Sequence, residues 1–184
     1  MWRISSGMKY VLSQLPVHPD FTPAIQIRLA RQYDIKEWTG AAFRSLVERP
    51  LSQITLADAE HMGIVTFYKL IQTKARISNH NIGIAFHPPP VQHSFSCRDE
   101  NACSRVWETF WWGGYSKQLL HPDNPKTPAV IMLDVDPTKG MLTHMPELCV
   151  QNTIQHIWED NPFNDAKEFV DEASNELAAW MAES

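Results

Sequence analysis

Three cysteines and a set of histidines are the residues of this sequence best suited to chemistry. Cys97 and Cys103 are separated by five residues, and Cys149 follows much later in the chain. Thiolates and imidazoles are preferred zinc ligands, and four of them form the closed tetrahedral site that stabilises a fold rather than a reaction. We therefore predict one structural zinc ion, held by the three cysteines and one histidine.

The fourth ligand is chosen by distance along the chain. His93 comes first in this ranking, four residues before the first cysteine, and His87 comes second. His121 comes last, because it follows Cys103 by eighteen residues on a predicted helix, which is about 27 Å at 1.5 Å per residue. It could join the site only if Gly113-Gly114 broke the helix.

Two other interpretations keep the thiols free of metal. In the first, Cys103 and Cys149 are small core residues and Cys97 is a loop thiol, as free cysteines often are. In the second, Cys97 and Cys103 form a regulatory disulfide.

A different class of function, a small enzyme, also fits part of the pattern. Cys97 and His93 would be its nucleophile and base, with Asp99 or Asp123 orienting the imidazole; an open metal site is the other form of this hypothesis. The sequence contains no HExxH, GxGxxG, P-loop or GxSxG motif, so the better-known hydrolase and nucleotide-binding classes are not indicated.

The helix predicted after Asp99 would organise the fold. Asp99 or Asn101 can cap its start, and Pro122 should end it near Leu120. Its apolar residues cover more than half of its circumference, which is typical of a helix in the middle of a fold. The three-and-four spacing of one helical face joins Val106, Trp107, Phe110, Trp111 and Gly114. Trp112 points elsewhere, and exposed Trp112 or Tyr115 would suit partner binding.

Capping residues predict further helices on both sides of this one. Thr22-Pro23 starts the first, Asp34 caps the second, and Thr55 caps a third that Gly63 closes. A fourth runs into Arg76. Two more are expected after the central helix, one beginning at Thr143 or His144 and one spanning about 164–182.

Between these helices, residues 79–96 are predicted to be irregular. Pro88-Pro89-Pro90 favours an extended conformation, which we interpret as a strap laid across the helices rather than an exposed ligand for proline-reading domains. The run VIMLDV is too short for periodicity to separate a strand from a helical turn. The result is an all-α fold, a bundle of about six to seven helices with a proline-rich strap and a Trp-rich central helix.

Composition limits the partners. The formal net charge of −5, without a run of basic residues, disfavours a nucleic-acid partner. No apolar run is long enough to cross a bilayer, and the N-terminus lacks a secretory signal, so an intracellular location, cytoplasmic or nuclear, is expected.

The order of these residues resembles a known family. The residues that carry this similarity are Cys97, Cys103, Trp107, Trp111-Trp112, the run Leu119 to Asp123 and Cys149, together with 30–35, Trp38 and 85–90. Through them the chain is similar to the C-terminal half of BTB/POZ-domain proteins of basidiomycete fungi. The resemblance covers roughly Phe21 to Trp158.

The resemblance predicts how the chain is divided into segments more than it predicts an activity. Residues 1–83 would be a BACK-like helical bundle and 84–160 a Cys/Trp-rich helical half. Residues 161–184 lie outside the resemblance, and their own pattern predicts an acidic amphipathic helix. Nearly all of the BTB domain is expected to be missing, so its dimerisation and its surface for cullin scaffolds are not implied. The predicted function is a non-catalytic adaptor module that binds a protein partner.

Overall fold

The computed structural model describes residues 21–121, 125–126, 128–133, 135–136, 140–160 and 165–183. Throughout this part of the chain the regular structure is helical, without a strand, so the all-α prediction is confirmed. Seven of the described helices are at least seven residues long. The helices, numbered in chain order, are α1 Pro23–Tyr33, α2 Lys36–Glu48, α3 Leu56–Met62, α4 Ile64–Phe86, α5 Glu100–Phe110, α6 Ser116–Leu119, α7 Pro128–Leu133, α8 Glu147–Asp160 and α9 Asp165–Glu183.

The chain divides into two compact units, each with its own apolar core. Unit 1 comprises Met1–Lys74 and Val170–Ser184, and unit 2 comprises Ala75–Phe169. The sequence-based division placed its boundaries instead after residues 83 and 160, with the last helix as a separate segment. In the structure both boundaries fall inside helices, α4 and α9, which continue across them.

Unit 1 is built from helices with well-formed ends. The Thr22 hydroxyl accepts from the Ile25 N–H at 3.3 Å, and Thr55 and Asp58 form a complete capping box at the start of α3. Gly63, at φ 76°, closes α3. The core behind these ends is formed by Ala24, Ile27, Ala42, Phe43, Leu46, Met62, Leu70, Ala173 and Leu177.

Two predicted helix ends in this part of the chain are wrong. Asp34 does not cap α2; it adopts a left-handed conformation, φ 54°, that terminates α1. Its short polar side chain tolerates this conformation better than most. The fourth helix does not end near Arg76 but continues to Phe86. No proline occurs between Pro50 and Pro88, so the helix meets no proline before Phe86.

Unit 2 is organised around two tryptophans of the central helix. Trp107 and Trp111 are each 1% exposed, and the Trp111 and Tyr115 rings stack with centroids 5.5 Å apart. The other buried members of this core are Ala85, Cys103, Leu119, Ile131, Met132, Leu142, Met145, Cys149, Val150 and Ile157.

The central helix continues through its glycine pair. Residues Trp111–Tyr115 form a π-helical turn between α5 and α6, in which the Ser116 N–H reaches back to the Trp111 carbonyl. The Ser116 hydroxyl donates to the Trp112 carbonyl at 3.2 Å. The chain therefore does not fold back at Gly113-Gly114, and the helical segment ends at Leu119, close to the predicted end.

The extended segment Pro88–Ser94 crosses α5 and α8 of unit 2, as predicted for the strap. The indole N–H of Trp107 donates to the Pro89 carbonyl at 2.9 Å. Further along, the Gln92 N–H donates to the Thr153 hydroxyl at 2.9 Å. These bonds satisfy two backbone groups of the strap, the Pro89 carbonyl and the Gln92 N–H. A proline-rich segment cannot satisfy its backbone groups by pairing as a β-strand. The first four residues of the VIMLDV run, 130–133, lie in α7, a helix.

Candidate metal centre

Three segments of unit 2 bring the cysteines together. Cys97 lies at the end of a turn that follows the strap, where its N–H donates to the Ser94 carbonyl at 3.0 Å. Cys103 lies in the first turns of α5, whose start is capped by Asp99 accepting from the Ala102 N–H at 2.8 Å. Cys149 lies near the start of α8. The strap, the capped helix and α8 thus each supply part of one site.

The ligand atoms of His93, Cys97, Cys103 and Cys149 all lie within 4.8 Å of one another. A tetrahedral zinc site with Zn–S bonds of about 2.3 Å separates its sulfurs by about 3.8 Å. The four groups are therefore already close to the spacing that a single ion requires. Three sulfurs and one nitrogen also match the softness and geometry that select zinc and similar transition metals.

The imidazole of His93 is held from both sides. Its Nδ1 lies 3.5 Å from the Cys97 Sγ, and its Nε2 lies 3.4 Å from the Ser104 Oγ. In the tautomer that carries the proton on Nε2, that N–H donates to the Ser104 hydroxyl and the Nδ1 lone pair faces the thiols. This is the arrangement by which a hydrogen bond outside a metal site fixes a ligating histidine.

The sulfur of Cys149 accepts a hydrogen bond from the backbone of Ser94, a residue of the strap, and also lies at hydrogen-bond distance from its hydroxyl. The Ser94 N–H and the Ser94 hydroxyl both lie 3.3 Å from the Cys149 Sγ. The Thr153 hydroxyl donates to the Cys149 carbonyl at 2.7 Å, one turn further along α8. Ser94 is therefore oriented to stabilise negative charge on this sulfur.

The three thiols differ in their acidity. Burial raises the pKa of Cys103 to about 12, with contributions from the neighbouring Cys149 and Cys97. Desolvation, followed by hydrogen bonding to Cys149, also raises the pKa of Cys97. Burial acts to raise the pKa of Cys149 as well, but the hydrogen bonds from Ser94 and from the other two thiols outweigh it and lower that pKa. Of the three thiols, Cys149 is therefore the first to lose its proton as the pH rises.

Exposure divides the three thiols differently from acidity. Cys149 is 0% and Cys103 3% exposed, whereas Cys97 is half-buried. All three are free thiols. Cys97 and Cys103 line a cavity of about 320 Å³ whose other walls are Ser96, Arg98, Asp99, Ala102, His144 and Pro146.

The first-ranked histidine joins the cluster and the lower-ranked two do not. His93 lies in the site, while His87 and His121 lie outside it and are exposed. The continuous central helix explains the position of His121. The enzyme hypothesis expected Asp99 or Asp123 to orient the His93 imidazole. In the structure Asp99 caps α5 instead, and the residue beside the imidazole is Ser104. Asp123 lies outside the described residues.

The two residues predicted to bind a partner differ in exposure. Trp112 is 49% exposed. Tyr115 is 6% exposed and packs in the core of unit 2, because the π-helical turn directs it onto Trp111. Partner binding stays a prediction, and only Trp112 has the accessible surface that it needs.

Sequence reasoning missed the residues that support the ligands. Ser94, Ser104 and Thr153 hydrogen-bond to ligand residues or to the strap. Two of these residues could have been found from the sequence, because Ser94 directly follows His93 and Ser104 directly follows Cys103. Polar residues next to metal ligands often hydrogen-bond to those ligands.

Comparison of the chain with protein-family models, curated proteins and solved structures finds no match. Among the described helices, none is long and apolar enough to span a membrane.

Proposed function

We propose that this chain is a non-catalytic protein-interaction module whose second unit is stabilised by a structural zinc ion. The ligands would be His93, Cys97, Cys103 and Cys149. The observation that supports this most is the convergence of their four ligand atoms within 4.8 Å. Four protein ligands leave no coordination position for water or substrate, which is the mark of a structural rather than a catalytic site.

The proposed partner is a protein, as the resemblance to the region following BTB domains implies. The turn between two of the ligands supports this proposal, because its Phe95 side chain is 98% exposed. An aromatic ring held in water on a short turn loses little conformational freedom on binding and buries a large apolar area. Trp112, half exposed on the central helix, is the second candidate anchor.

One contact favours the alternative, a cysteine-dependent enzyme: the Cys97 Sγ lies 3.5 Å from the His93 Nδ1, beside a cavity. A catalytic cysteine, however, needs a lowered pKa to supply its thiolate. The pKa of Cys97 is raised instead. Slow alkylation of Cys97 by iodoacetamide at neutral pH would agree with the module; a rate well above that of a free cysteine would favour the enzyme.

Elemental mass spectrometry of the purified protein tests the metal site. We expect about one zinc per chain, most of it lost in Cys149→Ser and retained in His87→Gln, a control that changes a histidine outside the cluster. Loading with Co²⁺ should add the visible absorption of tetrahedral thiolate coordination. A folded protein that binds neither metal would refute the zinc proposal.

A further inference from the structure

The one accessible thiol of the cluster shares a cavity with a second, buried thiol. Cys97 is half-buried, and it lines the cavity together with Cys103. Ser96, Arg98, Asp99 and His144 supply polar groups on the same walls. A space of about 320 Å³ is several times the volume of a water molecule, about 30 Å³. A small polar oxidant can therefore reach the Cys97 sulfur.

We propose that Cys97 and Cys103 form a redox pair that hydrogen peroxide oxidises to a disulfide, releasing the ion of the metal site. This inference rests on the zinc site proposed above. Oxidation would remove two of the four ligands at once. Because three thiols bind zinc only in the reduced state, the metal-bound and disulfide states exclude each other.

The chemistry balances in two steps. In the first, Cys97 reacts as the thiolate, the form that metal coordination requires, and attacks one oxygen of the peroxide. An S–O bond forms, the O–O bond breaks, and hydroxide leaves and takes up a proton to become water. The sulfur, oxidised by two electrons, becomes a sulfenic acid. In the second, the Cys103 thiolate attacks that sulfur; the S–S bond forms, the S–O bond breaks, and the hydroxide that leaves takes up a proton to become a second water.

The choice of Cys103 as the second thiol follows from how each buried sulfur is held. The Cys149 Sγ accepts a hydrogen bond from the Ser94 N–H, lies 3.3 Å from the Ser94 Oγ, and does not line the cavity. Cys103 lines the cavity with Cys97, and the two sulfurs lie within the 4.8 Å cluster. A disulfide requires the sulfurs to approach to about 2.05 Å. Cys97 precedes α5, so its side chain can rotate without disturbing helical hydrogen bonds.

Trypsin makes the pairing directly readable. Cleavage after Arg76, Arg98, Arg105, Lys139 and Lys167 places the three cysteines in three peptides, 77–98, 99–105 and 140–167. Zinc-loaded protein would be treated with hydrogen peroxide, and the released zinc would be measured with a colorimetric chelator while a non-reduced digest is analysed by mass spectrometry. We expect about one zinc released for each linked 77–98/99–105 pair, with both changes reversed by dithiothreitol and added zinc.

Variants separate this inference from the zinc proposal. Metal-free Cys149→Ser should still form the 77–98/99–105 link, whereas metal-free Cys103→Ser should not. The metal-free arms report on the disulfide even if the protein binds no zinc, so the two proposals can fail independently. A link involving peptide 140–167, irreversible over-oxidation of Cys97 without a disulfide, or zinc retained after the disulfide forms would each overturn the inference. If Cys103→Ser does not fold, the wild-type digest alone decides the pairing.

Discussion

Ser104 is the residue whose contribution to the site is easiest to isolate. Its hydroxyl lies 3.4 Å from the His93 Nε2 and outside the ligand set. We predict that Ser104→Ala weakens zinc binding about tenfold, the lower end of the loss seen when such an outer partner is removed. Competition with a chelator of known affinity measures this loss.

Thr109→Ala is the matched control for Ser104→Ala. It also removes a hydroxyl from α5, but that hydroxyl donates to the Arg105 carbonyl at an exposed position. Zinc affinity should not change. Equal affinity of the Ser104 variant and the wild type would show that Ser104 does not orient His93.

Protonation of the same ligands predicts a pH dependence with a definite sign. The raised pKa values of Cys97 and Cys103 mean that both are protonated near neutral pH in the metal-free protein, so zinc binding must displace their protons. Zinc affinity should therefore rise with pH and fall on acidification. Calorimetry in buffers of different ionisation enthalpy should show protons released on zinc binding near pH 7, including those of Cys97 and Cys103. Release of no protons would contradict coordination by these two thiols.

At the scale of elements, Gly113 and Gly63 differ in whether their surroundings and backbone conformation would accept a side chain. A Cβ at Gly113 would have open space around it, whereas at Gly63, with φ 76°, it would lie 2.5 Å from the Arg31 Nη1. Gly113→Ala should stabilise the protein by about 0.5–1 kcal/mol through helix propensity. Gly63→Ala should destabilise the protein by more than about 1 kcal/mol, because a residue other than glycine is strained at this positive φ. Urea unfolding of both variants measures the difference. Destabilisation by Gly113→Ala would mean that the π-helical turn depends on a glycine at this position.

Local capping chemistry made several elements predictable. Thr22-Pro23, the Thr55 capping box, Asp99 and the proline-driven end near Leu120 need only neighbouring residues to act, and each is found where the sequence indicated. The π-helical turn was not predictable, because it depends on stacking Trp111 and Tyr115 in a common core, a tertiary effect that no local pattern records.

The candidate site divides in the same way. His93 was ranked first among the histidines by its distance along the chain from Cys97. Cys97 and Cys103 were paired because they are close in sequence. Local spacing therefore indicated three members of the cluster. Cys149 belongs to α8, far along the chain, and its approach depends on the strap and on Ser94. Sequence spacing could nominate this cysteine but could not establish its approach.

At the scale of the whole molecule, the cluster proposed to bind zinc lies entirely within unit 2. Zinc should therefore slow hydrogen exchange chiefly in the helices of that unit. At free zinc about 100 times the dissociation constant, its globally exchanging amides should slow about 100-fold. The amides of α1 to α3, which belong to unit 1, should change little.

Hydrogen-exchange mass spectrometry with zinc and with a chelator makes this comparison. Cys149→Ser serves as the control, since its exchange should not respond to zinc at the same concentration. An equal response in both units would show that they unfold as one cooperative body.

The chain order of the ligands also bears on how the protein is made. His93, Cys97 and Cys103 emerge from the ribosome within a short stretch, and Cys149 emerges only after the central helix and α7. An ion captured by the first three would be held on the nascent chain, with a vacant coordination position, until α8 is synthesised. Zinc supply during translation would then influence the yield of folded protein more than zinc added afterwards.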